Sequence, residues 1–428
     1  MLPEQELTRS GLQARYDALQ ARGLKIDMTR GKPCEAQVAL SDGLLELPGA
    51  GGGVTAEGVD ARNYYGGPTG LREARELFAA MLGADPDEVA VANNSSLALM
   101  HDAIVFALLH GLSESQLPWK AGPARFICPS PGYDRHFAIC EAYGIEMLPV
   151  AMTGSGPEMD QVEVLVRDPA VKGMWCVPQY SNPTGETYSD AVIERLATMK
   201  TAAPDFRLFW DNAYAVHHLT HDEAGIPSII RMCEQAGHPD RPFVFASTSK
   251  ITFAGGGLGL FASSRRNIGW YVRHAGIRSI GPDKLNQLRH VRFLRDHDGI
   301  RGHMRKHRSI IAPKFKIVED GLQRLLGGMD VARWTTPKGG YFVSLQVRDG
   351  CAARVVELAH GLGVALVPAG KAYPLGKDPR DAHLRLAPTY PDATELAIAV
   401  ECIGLSVLLA TVESGQHTFS EGQPRSKA

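Results

Sequence analysis

The sequence predicts an α/β fold: a large domain built on a seven-stranded, mostly parallel sheet flanked by helices, plus a smaller α/β domain. Three observations lead there. Apolar runs of strand length, each bounded by Gly, Pro or Asn, recur through the first two-thirds of the chain. Helical patterns fit between most of them, and such alternation gives parallel strands covered on both faces. In the last third the rhythm changes, with a long helical pattern ahead of three further strand-like runs. A length of 428 residues, at roughly 150 residues per domain, fits two domains that share an interface.

Taken in order, the strand-like runs of the large domain are 88–92, 125–128, 146–150, 173–177, 207–210, 243–246 and 258–262. Helices are expected at 97–110, 136–143, 161–166, 191–200 and 229–235. The gap between Ser247 and Leu258 is too short for a helical crossover, so the last strand is expected antiparallel. The smaller unit reads as a long helix at 304–326, strands at 341–345, 365–368 and 383–387, and helices at 352–362 and 393–409. The charged helical pattern of residues 1–20 joins it. These runs place the large domain at 48–295, the smaller one at 1–47 and 296–412, and a polar, disordered tail at 413–428.

Composition removes several function classes. With 44% hydrophobic and 21% charged residues, the chain is neither a disordered polymer nor a coiled-coil rod. Its 45 basic and 47 acidic side chains give a net charge of −2, so no global field draws it to nucleic acid or anionic lipid, and neither is an expected partner. The 7 cysteines are scattered with no CxxC pair, which suits reduced thiols. With no apolar signal core near the N-terminus, a cytoplasmic setting is expected. The apolar stretch 396–412 is interrupted by Glu401, is short for a bilayer, and reads as a packed helix. Glycine is the outlier, at 45 of 428 residues against an average near 7%.

Open α/β sheets bind ligands at the carboxyl ends of their strands, so the residues following each strand carry the chemistry. After the first come Asn93-Asn94-Ser95-Ser96, opening a helix, and after the second Gly132-Tyr133-Asp134-Arg135. The fourth leads to Ser181-Asn182-Pro183-Thr184-Gly185, the fifth to Asp211-Asn212-Ala213-Tyr214, and the sixth to Ser247-Thr248-Ser249-Lys250. A lysine, a carboxylate, an asparagine, two tyrosines and a hydroxyl cluster thus converge on one edge. Pyridoxal phosphate needs such a set. A lysine amine forms a Schiff base with its aldehyde, and a carboxylate keeps its ring nitrogen protonated. Asn and Tyr donors reach its phenolic oxygen, and hydroxyls with backbone N–H groups at a helix start hold its phosphate.

With Tyr65-Gly66-Gly67-Pro68-Thr69-Gly70-Leu71-Arg72 and His383-Leu384-Arg385-Leu386 added, the sequence resembles the fold-type I pyridoxal-phosphate enzymes, and within them the class I aminotransferases. Asp27-Met28-Thr29-Arg30-Gly31-Lys32-Pro33 and Gly132-Tyr133-Asp134-Arg135-His136-Phe137 bring it nearest to the MocR-like aspartate aminotransferase subgroup. The resemblance implies Lys250 as the cofactor lysine and proton carrier, Asp211 as the ring-nitrogen partner, Asn182 and Tyr214 as donors to the phenolic oxygen, and Tyr133 as the stacking ring. Ser95, Ser96, Ser247 and Ser249 are the phosphate candidates. Tyr65 resembles the tyrosine that reaches a phosphate across a subunit boundary, which implies a homodimer with shared active sites. Arg385 is the candidate for the substrate α-carboxylate, with Gly31 giving close backbone approach. Arg135, or Arg30 in its place, is the candidate for a distal carboxylate.

One position departs from the family pattern. Leu258 stands where class I enzymes usually place a phosphate-clamping arginine, so either the glycine run 255–257 forms an anion nest or another cation substitutes. Two other patterns are decoys. Residues 257–262 nearly spell a dinucleotide fingerprint but lie inside a strand. His217, His218 and His221 lack the glutamate and carboxylates of a metal site, so no metal is expected. The expected activity is transfer of the amino group of an acidic amino acid, aspartate, to a 2-oxo acid, 2-oxoglutarate. The rivals are transamination of another side chain, a pyridoxal-phosphate C–S lyase, and a non-catalytic effector-binding protein related to MocR-type regulators.

Overall fold

The computed structural model describes residues 7–64, 67–223 and 225–415. Its seven-stranded sheet runs, from one edge to the other, through Val89–Ala92, Gly259–Ala262, Pro242–Ser247, Arg207–Asp211, Val171–Cys176, Arg125–Ser130 and Glu146–Ala151. Gly259–Ala262 is antiparallel to both its neighbours, while the four remaining pairs are parallel. Each of the seven strand-like runs expected for this sheet is a strand, displaced by at most two residues at either end. The central strands read as unbroken apolar runs because helices cover both their faces. Phe209, Phe243, Phe245 and Phe261 project to one face, over Trp175 and Trp270, and Leu208, Trp210, Val244 and Leu260 to the other. Glu146–Ala151, at the edge, keeps only Val150 buried.

The last third packs its own core. His383–Leu386, Val343–Val347 and Ala332–Trp334 form an antiparallel three-stranded sheet. Val343, Leu345, Leu384 and Leu386 pack there with Leu322 and Val400. The helix Ala393–Glu413 is apolar and long enough to cross a membrane, but 72% of its apolar window is buried inside this core. It is longer than expected and reaches into the tail assigned to 413–428; from residue 416 that tail lies outside the described residues, as does Tyr65.

Two expectations for the small unit are corrected by long-range pairing. The strand expected at 365–368 is only Val364–Ala365, because its one partner is the two-residue strand Ile26–Asp27. The strand expected at 341–345 starts at Val343, since Tyr341 and Phe342 turn into the junction with the large sheet. The long helix begins before residue 304. It runs His297–Leu326, capped by Asp296, whose Oδ1 accepts from the Gly299 N–H at 2.8 Å. Its Ile300 and Met304 join the large core, whereas Val318, Leu322 and Leu325 join the small one. One helix therefore ties the two cores together. Helices Arg72–Leu82, Arg265–Arg278 and Lys284–Leu294 were not among the expected elements.

Candidate active site

Asp211 ends its strand on the carboxyl edge of the sheet and is 3% exposed. Its Oδ2 lies 3.1 Å from His136 Nε2. The His136 ring is itself held, stacked on Trp175 with centroids 4.4 Å apart and planes 10° apart, and meeting Tyr133 edge-on at 4.9 Å. Asp211 Oδ1 is buried with no hydrogen-bond partner. A buried carboxylate oxygen without a donor is costly, so this atom is built to receive a cationic N–H. A protonated pyridine nitrogen satisfies it, and on that observation the residues fit pyridoxal phosphate.

Tyr214 follows three residues later on the same loop and is likewise 3% exposed. Burial, reinforced by Tyr133 and Asp211 nearby, raises its phenol well above the ordinary range, so the hydroxyl remains a donor. Lys250 sits in the turn between Pro242–Ser247 and Gly259–Ala262, its Nζ 5.1 Å from the centre of the Tyr214 ring and 6.0 Å from that of Tyr341. Burial lowers the basicity of its amine; Asp211 opposes that shift and Arg385 adds to it. The balance enlarges the neutral, nucleophilic fraction.

Asn182 precedes a cis peptide bond to Pro183 in a tight loop, where the Gly185 N–H donates to the Ser181 carbonyl at 2.7 Å. Its Oδ1 accepts from Arg385 Nη1 at 3.3 Å. Arg385 enters from the other core, on the strand His383–Leu386, paired opposite Ser344. Its remaining contacts are Asp134 Oδ1 at 3.4 Å and the Thr29 carbonyl at 3.3 Å, and its Nε is buried without a partner. The guanidinium lies over the Phe342 ring, 4.8 Å from its centre. Bonds this long are weak, so a charged group offering two oxygens in one plane would displace them.

The serines gather where the first strand's helix begins. Ser95 caps the helix Ser96–His110, its Oγ accepting from the Ala98 N–H at 3.4 Å, and Ser96 is buried. Ser249 Oγ donates to the Asn94 carbonyl at 3.4 Å, which joins this turn to the one holding Ser247 and Lys250. Gly257 completes the contact: a Cβ there would stand 3.1 Å from the Asn94 oxygen and 3.2 Å from the Ser249 nitrogen. Three backbone turns pack closely here, and a side chain would make them give by a few tenths of an ångström. The Leu258 side chain is buried in the large core, while its N–H donates to Thr248 Oγ1 at 2.8 Å in the turn that holds Ser247 and Lys250.

Two sequence expectations separate here from the rest. The Arg30 and Arg135 side chains are exposed, and neither makes a hydrogen bond or ion pair among the described residues. Gly31 has a packing reason of its own, since a Cβ there would come within 2.5 Å of the Phe342 ring. Several residues of the site escaped sequence reasoning: His136, Trp175, Phe342, Thr29 and Asp134 as partners, and His217 and Tyr341 behind Lys250. His136 did carry a signal. It lies three residues after Tyr133, at a spacing that puts both on one side of the helix Asp134–Ala142 and its cap.

The chain is similar to known proteins over nearly its whole length. A protein of Mycolicibacterium smegmatis is 52% identical over 94% of this chain and 95% of its own length. An aspartate aminotransferase of Corynebacterium glutamicum is 48% identical over 95% of this chain and 94% of that one. The crystal structure of an aspartate transaminase from Corynebacterium glutamicum superposes with a TM-score of 0.93, covering 95% of this chain and 96% of that chain at 48% identity. The α-aminoadipate aminotransferase of Thermus thermophilus, complexed with N-(5'-phosphopyridoxyl)-L-leucine, shares the fold at a TM-score of 0.73 and 22% identity, over 93% of this chain and 97% of that one. The aspartate amino-transferase family model matches residues 4–417, and the chain belongs to that family.

Proposed function

We propose that the chain is a pyridoxal-phosphate aminotransferase that moves the amino group of aspartate to 2-oxoglutarate. One observation carries the reading: a buried carboxylate oxygen of Asp211 without a donor, in a site that brings together a lysine of lowered basicity and an arginine in loose contacts. The activity named for the Corynebacterium glutamicum relative and the phosphopyridoxyl compound in the Thermus thermophilus structure support it.

When bound, the cofactor supplies an electron sink for negative charge at the substrate Cα. Asp211 would pair with the ring nitrogen, held in place by His136. Tyr133 would stack on the ring. Asn182 and Tyr214 would donate to the phenolic oxygen. Ser95, Ser96, Ser247, Ser249 and the start of the helix Ser96–His110 would hold the phosphate, with Tyr65 reaching it from a second chain in a homodimer with shared sites.

Lys250 Nζ anchors the cofactor, takes the proton from the substrate Cα, and returns it on the far side of the transfer. Burial lowers its basicity, which enlarges the fraction of the amine able to accept that proton. Arg385 would bind the α-carboxylate and so orient the Cα–H bond towards Lys250, with the backbone at Gly31 alongside. For the distal carboxylate the reading names Arg135, with Arg30 in its place. Both are exposed, so preference for aspartate is supported by the relatives and not by these two side chains. The cleft lies between a large domain at 48–295 and a small one formed by 1–47 and 296–412. Seven buried free thiols fit a reducing, cytoplasmic setting.

The test is the visible absorbance of the cofactor-loaded protein. Aspartate should shift the band to that of the aminated cofactor, and 2-oxoglutarate should restore it. No shift with aspartate alongside a shift with alanine, phenylalanine or cystathionine would overturn the substrate. No cofactor band at all would overturn the whole reading.

A further inference from the structure

We propose that Tyr341 and His217 are positioning residues for Lys250, the ends of a buried polar brace that holds its backbone carbonyl and ties it to the N-terminal segment. The inference rests on the aminotransferase reading above and goes beyond it, since that reading gives neither side chain a role.

Lys250 and Ile251 lie in a turn, and neither carbonyl accepts a backbone hydrogen bond among the described residues. Side chains reach them instead, one short bond at Ile251 and two long ones converging on Lys250. The Tyr341 hydroxyl donates to the Lys250 carbonyl at 3.4 Å, and His217 Nε2 approaches the same oxygen at 3.4 Å. Gln37 Nε2 donates to the Tyr341 hydroxyl at 2.9 Å and lies 3.1 Å from His307 Nδ1. The Nε2 atoms of His307 and His303 are 3.1 Å apart, and His303 Nε2 lies 2.8 Å from the Ile251 carbonyl. Ser41 Oγ closes the set at 3.3 Å from His303.

Three separate stretches of chain therefore meet on two consecutive carbonyls and a fourth backs them, and every side chain in the set is buried. They are the helix Glu35–Ala39 with its following turn, the loop after Asp211, the long helix His297–Leu326, and the junction at Tyr341. His217 makes the argument specific. Its Nδ1 is buried without a partner, so the ring's one hydrogen bond is the one to the Lys250 carbonyl. A ring present only to fill space would be better apolar.

The brace is also electrically quiet. Burial pushes the His217 imidazole well below its usual range and His307 down to about 4, so both stay neutral at pH 7 and neither adds a full charge behind the lysine. What it contributes is direction. The tilt of the peptide at Lys250 sets where the side chain starts, and Nζ must meet the substrate Cα from one side.

Holoenzyme variants test this. Tyr341→Phe and His217→Leu remove the two donors while keeping bulk, and His217→Gln restores a donor. The proposal expects kcat for aspartate to fall about tenfold or more in the first two, with KM within about twofold. The kinetic isotope effect with Cα-deuterated aspartate should rise, and the circular dichroism of the bound cofactor's visible band should change. His217→Gln should recover part of each. Val318→Ala, in the small core, serves as a control that lowers the thermal midpoint and leaves these readings alone. If either donor-lacking variant loses thermal stability as the control does but keeps wild-type kcat, isotope effect and dichroism, the brace is merely structural and the proposal is wrong. A wild-type protein that takes up no cofactor would instead defeat the functional reading.

Discussion

The two ends of the cleft are held in opposite ways. At the Asp211 end, a carboxylate on a central strand is fixed by His136, which is itself clamped against Trp175, and a single oxygen is left open. At the Arg385 end, a guanidinium from the small sheet makes only bonds of 3.3–3.4 Å, to three different segments, above an aromatic face. The first arrangement suits a partner that stays, because nothing needs to move when it binds. The second suits a partner that comes and goes, since long bonds are cheaply exchanged for a carboxylate. On the proposed reading, how firmly each end is pre-satisfied would distinguish a resident cofactor from a passing substrate.

The largest expected effect falls on the firm end. Asp211→Asn keeps the shape and removes the charge, and kcat should fall by about 10²–10³, with weaker retention of the cofactor on dialysis. An unchanged kcat would show that Asp211 is a strand-end cap and not a charge partner.

Both ends share a weakness to acid. His307, behind Lys250, and His383, on the Arg385 strand, are pushed by burial from the ordinary 6.5 down to about 4. In the unfolded chain they titrate near 6.5, so between pH 6.5 and 4 the unfolded state binds more protons and stability falls as the pH drops. Their contribution is intact above pH 6.5. At pH 5 each costs about 2 kcal/mol. Urea unfolding of His383→Gln at pH 7 and pH 5 should show a smaller pH difference than wild type; an equal difference would mean that His383 titrates normally in the fold.

At the looser end, Arg385→Lys retains the charge and loses the planar fork. A charge-assisted bond of about 1.5–3 kcal/mol predicts a KM for aspartate raised roughly 10- to 100-fold, with kcat much less affected. A kcat loss as deep as that of Asp211→Asn would erase the contrast between the ends. The smallest effect is Gly31→Ala, where a Cβ meets the Phe342 ring beneath the guanidinium. Crowding should cost about 1 kcal/mol in stability and raise KM by a few-fold, as steady-state assays and thermal unfolding would report.

Elements that carry their own apolar pattern were legible, even where their partner is distant, as Val89–Ala92 pairs with Gly259–Ala262. The strands of the large sheet lie within two residues of their expected places because continuous apolar runs between turn residues have few other uses. Ile26–Asp27 was not legible, since its strand character comes from Val364–Ala365, far along the chain. The same limit governs the site. Lys250, Asp211, Asn182, Tyr214 and Arg385 stand in segments with local signatures, and the fold brings them to one cleft. Arg135 and His136 are neighbours in sequence, yet a helix turns about 100° per residue, and it is His136 that meets Asp211 while Arg135 is exposed. Composition cannot tell which of two adjacent residues faces inward. Of the histidines around Lys250, only His217 drew notice, within a failed metal motif, and His303 and His307 did not, because the carbonyls they serve do not show in the side-chain alphabet.

The open oxygen of Asp211 also bears on the life of the protein before it is loaded. A buried anion lacking its counterpart makes the empty chain less stable than the loaded one, and ligand that binds only the folded form adds RT ln(1 + [L]/Kd) to its stability. A thousandfold excess over Kd is worth about 4 kcal/mol, a sizeable fraction of a typical folding free energy. On the proposed reading, the thermal midpoint of this protein would therefore rise with the concentration of its cofactor.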